Sequence, residues 1–346
     1  MGAPISIHLI GEMETGSPKL LFENLDLTPI HSTLWTSLHK DGPGRPVEYH
    51  PEWDLKALML RQLEQIPYVK DLAKRLRRNT YLRRACGYRD KAPCEAHFSQ
   101  MKKRIGADGF RIIEAWLRRE ALRLRRSQPL SATGLVQAAC IDGTDLPAWS
   151  SRDPHDTRRG LGDPDARLGR GKKGFLLGYQ SLFLVDIEGF PLGHIEAPLN
   201  VNEKQLVEEL LTRVLGECIE VELLAADSQF ESQAVFDLLE SLKIGSVIAW
   251  RRLKGRENPA GVLTVRDRID VEGPEWMRVV YKRLRAVVEG FNGRAKSRLA
   301  YQRLTWQGLE NASIHVGLVL MVAYAVCIAA YGIGRPEFRQ SVAFFA

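Results

Sequence analysis

Five short apolar runs set the order in which this chain can build a sheet. "LVQAACID" (135–142) is followed by "YQSLFLVDI" (179–187) and "PLGHIEAPL" (191–199), the last two joined by the turn "EGF". Two further runs, "VELLAAD" (221–227) and "GSVIAW" (245–250), then alternate with the helical patterns "VNEKQLVEELLTRVLG" and "SQFESQAVFDLLESLK". Short apolar runs bounded by turn residues read as buried strands. Antiparallel neighbours need only a turn between them, whereas parallel neighbours need a crossover, usually a helix. Three strands and then alternating helix and strand therefore predict an α/β protein with a mixed sheet flanked by helices.

The region in front of these strands is different. From Trp53 to about Arg126 the apolar spacing is helical throughout, broken at "GYRDKAP" and "GADG". Between Pro51 and Gln128 there are twenty Lys and Arg against nine Asp and Glu, a local excess of eleven positive charges. The whole chain carries +7, so the remainder is mildly acidic at −4. A basic helical module joined to an acidic body is the footprint of a polyanion-binding domain. The turns suggest a helix-turn-helix arrangement, with Cys94 to Arg104 as the helix that meets DNA through Lys102, Lys103 and Arg104. Before it, "GPGRP" (Gly42 to Pro46) is either a linker or an arm laying Arg45 into a minor groove. The expected organisation is an arm and linker over 1–50 and a helical DNA-binding domain over 51–130. The sheet-bearing domain spans 131–333, with a small β insertion at about 251–276, and a tail covers 334–346.

The five cysteines are scattered and form no Cys-x-x-Cys, which argues for reduced thiols in a cytoplasmic protein. Cys86, Cys94 and His97 have the spacing of no standard zinc knuckle. The N-terminal residues lack a basic stretch followed by a long apolar run, so no secretory signal is read there. Ala312 to Ile333 is nearly long enough to cross a bilayer, but Ser313 and His315 interrupt it and no charged cluster flanks it. A helix buried in a core is the expectation, with no membrane partner.

Chemistry is legible in the acids. Asp142 in "AACIDGTD" and Asp227 in "LLAADSQF" end apolar strands, where α/β folds collect ligands. Asp145 competes with Asp142 for the first position, and Asp142 is favoured because it lies nearer the strand. Metal-assisted phosphoryl transfer uses carboxylates from separate elements, which hold divalent ions and leave coordination positions open. A third acid lies in "YKRLRAVVEGFNGRAK" (281–296), an amphipathic helix whose polar face is cationic apart from Glu289. Arg285, Glu289 and Lys296 share one face of that helix. Taken alone, Arg285 and Glu289 are equally well read as an ordinary i,i+4 ion pair.

Taken together, these segments resemble bacterial insertion-sequence transposases, which carry an Asp-Asp-Glu triad on a ribonuclease H-like fold. Arg285, Glu289 and Lys296 match the spacing of that family's Tyr-x2-Arg-x3-Glu-x6-Lys signature. The tyrosine departs: its expected position is Lys282, and Tyr281 lies one residue early. "IDGTD", "DPDARLGRGKKGFLLGYQSLFLVD" and "DSQF" are further likenesses, and Gly42 to Gly106 is similar to the helical domain that precedes such cores. The resemblance implies Mg²⁺-dependent cleavage at the ends of a mobile element and transfer of the freed 3′-OH into target DNA, with Mn²⁺ as a substitute ion. Asp142, Asp227 and Glu289 would hold the metal. Arg285, Lys296, Lys172 and Lys173 would contact phosphates, and Asp163 and Asp165 would order their loop. The implied partners are duplex DNA (terminal inverted repeats and target) and a second copy of the chain, as a dimer. A nuclease or resolvase without strand transfer, or an inactive DNA-binding relative, is the alternative. Trp149, Trp250 and Trp306 are candidates for stacking on a flipped base, although packing is the plainer role for each.

Overall fold

A computed structural model describes residues 16–32, 34, 48–126, 137–171, 174–249 and 275–346. Arg45, Lys172, Lys173, Trp250 and the expected β insertion, apart from its last two residues, lie outside the described residues. The sheet has seven strands: β1 (Ala138–Pro147), β2 (Arg159–Gly160), β3 (Asp163–Gly171), β4 (Gly174–Asp186), β5 (Pro191–Pro198), β6 (Leu223–Ala226) and β7 (Gly245–Ile248). β4 lies between β1 and β5 and is antiparallel to both, while β6 and β7 continue beyond β1 in parallel. This is the ribonuclease H-like mixed sheet, and its two parallel strands are those that the helical patterns separated in sequence. The long β4 reaches past β5 to pair with β3 through Arg167↔Gly178 to Gly171↔Gly174. The resemblance implies a loop at Asp163 and Asp165, but the structure forms β3 there even though "DPDARLGRG" is poor in strand-forming residues. Its pairing with β4, and the Tyr179 hydroxyl donated to Asp163 Oδ1, hold it in the sheet.

Helices cover both faces. One face carries α6 (Val207–Gly216), whose Val214 and Leu210 side chains lie against Gly193 of β5. The other carries α8 (Glu275–Arg298) and α9 (Leu309–Gly332), and α7 (Gln233–Ser241) precedes β7. α9 is the segment long and apolar enough to span a membrane, and 89% of its most apolar window is buried inside the protein. It is apolar all round because it is packed all round, against β5 and the N-terminal helices.

Those N-terminal helices are α1 (Pro18–Glu23), α2 (Pro51–Leu63), α3 (Val69–Arg78), α4 (Thr80–Ala85) and α5 (Glu95–Arg126). α5 joins two expected helices across a kink at Gly106, where φ is +64°, a conformation that glycine adopts without a Cβ clash. The stretch expected as an arm contributes Leu21, Phe22, Leu25, Leu27, Ile30 and Leu34 to the core. Phe110, Ile113, Leu117 and Ala121 of α5 are buried in that same core. A fragment ending at residue 130 would expose them to water, each large side chain costing about 1.5–3 kcal/mol. Such a fragment is expected to lose the cooperative thermal transition of the full chain, read by circular dichroism.

Candidate active site

The register between β1 and β6 is what brings the two aspartates together. Ile141 pairs with Ala226, so Asp142 and Asp227 come next on adjacent parallel strands. Neighbouring strands lie about 4.8 Å apart. Asp142 is still within β1 and is only 4% exposed. Asp227 leaves its strand and caps the 3-10 turn Ser228–Phe230, accepting from the Gln229 backbone N–H at 2.8 Å.

α8 crosses this point, burying Leu284, Val288, Phe291 and Ala295. Phe291 packs edge-on against Phe183 of β4, which is the residue paired with Asp142. That seating directs one stripe of α8 at the acids. Arg285 donates from Nη1 to Asp142 Oδ1 at 3.1 Å and from Nη2 to Glu289 Oε1 at 3.0 Å. Asn292 donates from Nδ2 to Asp142 Oδ2 at 2.8 Å. Asp142 is therefore held by both oxygens, while the Glu289 side chain stays 59% exposed. Burial works against the charge on Arg285, but Asp142 outweighs it, with smaller contributions from Cys140 and Asp227, and the guanidinium pKa is raised above its ordinary value. Burial pushes the neighbouring Cys140 thiol up to about 12, so it is no nucleophile at neutral pH.

Asn292 was not among the expected site residues, although the signal was present. It follows Arg285 by seven positions and Glu289 by three, on the same helical stripe. It is also a polar residue between the core positions Phe291 and Ala295.

The structure also separates the two rival aspartates. Side chains alternate along a strand, so Asp142 and Asp145, three apart, project from opposite faces of the sheet. Thr144, on the Asp142 face, offers its carbonyl oxygen to the Tyr301 hydroxyl. On the other face, a side chain at Gly143 would strike Glu203 and one at Gly171 would strike the Asp145 carboxylate. Asp145 thus faces the β3–β4 hairpin and the turn Glu203–Leu206, away from α8.

The other expected DNA contacts divide. Lys103 and Arg104 are exposed on α5, and Lys296 is partly buried on α8. Lys102 turns inward: its ammonium lies 4.0 Å over the Trp306 ring and donates to Asn311. Burial, with Arg61 nearby, lowers its pKa to about 8. Arg61 stacks on the same ring at 4.7 Å, so Trp306 is a packing residue between two cations. Trp149 is 52% exposed, with Tyr68 edge-on at 6.2 Å. Tyr281 is partly buried against the core, whereas Lys282 is exposed.

Two family models match the chain: "Transposase domain (DUF772)" over residues 18–104 and "Transposase DDE domain" over 135–325. No curated protein matches. Among solved structures, a piggyBac transposase synaptic complex with hairpin DNA is similar at 13% identity and a TM-score of 0.46, covering 95% of this chain and 80% of that one. A Mos1 transposase paired-end complex with the left transposon end is similar at 15% identity and a TM-score of 0.22, covering 60% of this chain and 61% of that one. A pre-cleavage Mos1 transpososome matches at 13% and 0.23, covering 85% and 82%. The DDE model alone accounts for more than half of the residues, and the chain belongs to that family: it is a DDE transposase, an enzyme that cleaves and transfers DNA strands with divalent metal ions.

Proposed function

We propose that Asp142, Asp227 and Glu289 are the metal-binding acids of this transposase, and that Mg²⁺ is the ion they hold. The observation that carries this is that Arg285 bonds both Asp142 and Glu289 while Asn292 bonds Asp142, with Asp227 next to Asp142 across the sheet. The donor set fits the ion: three carboxylates from three separate elements supply hard oxygens and leave positions for water and phosphate. When bound, the metal activates the attacking oxygen and stabilises the leaving one.

The protein's own residues do the rest. Asn292 fixes the orientation of Asp142, whose burial leaves it little freedom. Arg285 neutralises Asp142 and Glu289, and with a divalent cation bound by those acids its guanidinium would be available to a DNA phosphate. Lys296, Lys103 and Arg104 extend the cationic surface along the DNA, and the exposed Lys70, Lys74, Arg77 and Arg78 of α3 add to it. The reaction is hydrolysis at the element's terminal inverted repeats followed by attack of the freed 3′-OH on target DNA, carried out by a dimer that holds two ends.

The test is incubation of the full chain with DNA ending in its own flanking repeats. With Mg²⁺, 3′ nicks and joined products are expected, and both vanish with EDTA. Nicks without joining would instead favour a nuclease. Asp142→Asn is expected to lose at least about a thousandfold in cleavage rate, roughly 4 kcal/mol of barrier. Asp145→Asn should stay within about tenfold of wild type. The reverse order would move the first acid to Asp145.

A further inference from the structure

Far from the three acids in sequence, the start of α2 meets the segment after the 3-10 turn Thr28–Ile30 at three side chains of metal-ligating type. His31 Nδ1 lies 3.2 Å from Glu52 Oε1. The His31 and His50 rings lie 4.8 Å apart between centroids, tilted by 33°. One donor atom from each of His31, His50 and Glu52 lies within 4.8 Å of the other two.

A tetrahedral zinc ion with bonds of about 2.0–2.1 Å spaces its ligand atoms about 3.3 Å apart. The His31–Glu52 pair already has that separation. The third donor has at most about 1.5 Å to travel, within reach of side-chain rotation. All three residues are partly exposed, so water can fill a fourth position. Two imidazoles and one carboxylate suit zinc and its neighbours among the transition metals. Magnesium prefers an all-oxygen shell in an octahedron, so this site would not compete for the ion of the catalytic acids.

We infer that His31, His50 and Glu52 form a second metal site, one for a zinc-type divalent ion, which clips the N-terminal segment to α2. Nineteen positions separate His31 from His50. An ion closing that loop stabilises the folded chain, because the ligands are dispersed when it unfolds. The segment it fastens is the one that buries Leu27, Ile30 and Leu34.

The test uses the full chain carrying Asp142→Asn, Asp227→Asn and Glu289→Gln, which removes the catalytic acids as a source of bound metal. After dialysis against Zn²⁺, elemental analysis is expected to find one equivalent per chain, and Co²⁺ to give the intense visible absorption of a tetrahedral site. Adding His31→Ala or His50→Ala should weaken zinc at least about tenfold and abolish the zinc-dependent rise in melting temperature. Glu52→Gln, the mildest change, guards against a folding defect and should weaken zinc without altering the metal-free melting curve. The inference is overturned if no equivalent is bound, if binding survives His50→Ala, or if Cys94→Ser alone removes it.

Discussion

Glu289→Gln should abolish Mg²⁺-dependent strand cleavage while leaving DNA binding within a few-fold of wild type. The substitution keeps the length and shape of the side chain and removes its negative charge. The glutamine carbonyl can still accept from Arg285 Nη2, which now bonds Glu289 Oε1 at 3.0 Å. Glu289 is largely exposed, so no buried charge is left unpaired and α8 keeps its seating on Leu284, Val288 and Phe291. A neutral amide is a poor ligand for a hard divalent ion. A loss of at least about a thousandfold in the cleavage rate is expected, roughly 4 kcal/mol. A gel assay on labelled end DNA gives the rate, and a filter-binding titration at fixed salt gives the affinity. Wild-type cleavage by the variant would remove Glu289 from the metal site.

The second large effect concerns stability. His194 of β5 stands between two carboxylates, with Nε2 2.8 Å from Glu114 Oε2 and Nδ1 2.8 Å from Glu196 Oε1. Arg118 joins Glu114 to Glu217, so the cluster ties α5 to the sheet. Burial alone would lower the His194 pKa, but Glu114 and then Glu196 overcome it and raise the value to about 10. Burial likewise favours neutral Glu114, yet His194 and then Arg118 hold its pKa below the ordinary value. His194→Phe would leave Glu196 buried without its cation and Glu114 with Arg118 alone, at a cost of about 3–5 kcal/mol. Replacing Glu196 by leucine in the same variant should recover much of that loss, since Glu196 is the carboxylate left unpaired while Glu114 keeps Arg118.

The pH dependence has a definite sign. The folded pKa of His194 is raised, so its contribution is complete below about 6.5, the usual histidine value, and is lost as pH rises through about 10. Glu114, with a lowered pKa, contributes above the usual carboxylate range and loses that contribution as the solution is acidified. The melting temperature of the wild type should therefore fall between about pH 7 and 10, and that of His194→Phe should lack this component. Equal slopes in the two proteins would show that His194 is neutral in the fold.

The sequence by itself determined five of the seven strands, the hairpin between β4 and β5, the helix–strand alternation that makes the sheet mixed, and the helix bearing Arg285, Glu289 and Lys296. These features are local: period, turn residues and run length are printed in contiguous residues. The tertiary structure decided what depends on partners far along the chain. It placed Asp142 on the α8 face and Asp145 on the other, because β1 pairs with β4 in one register only. It showed Asn292 as the residue that holds Asp142, a contact across 150 positions. It turned Lys102 into the protein, where Trp306 and Asn311 outcompete water for its ammonium. It also put Leu21, Phe22, Leu25, Leu27, Ile30 and Leu34, with the inner face of α5, into the core that contains α9. Composition sees those helices as cationic. Arg61, Arg118 and Arg125 nonetheless spend their charge inside the molecule, where aromatic rings and carboxylates from the rest of the chain receive it.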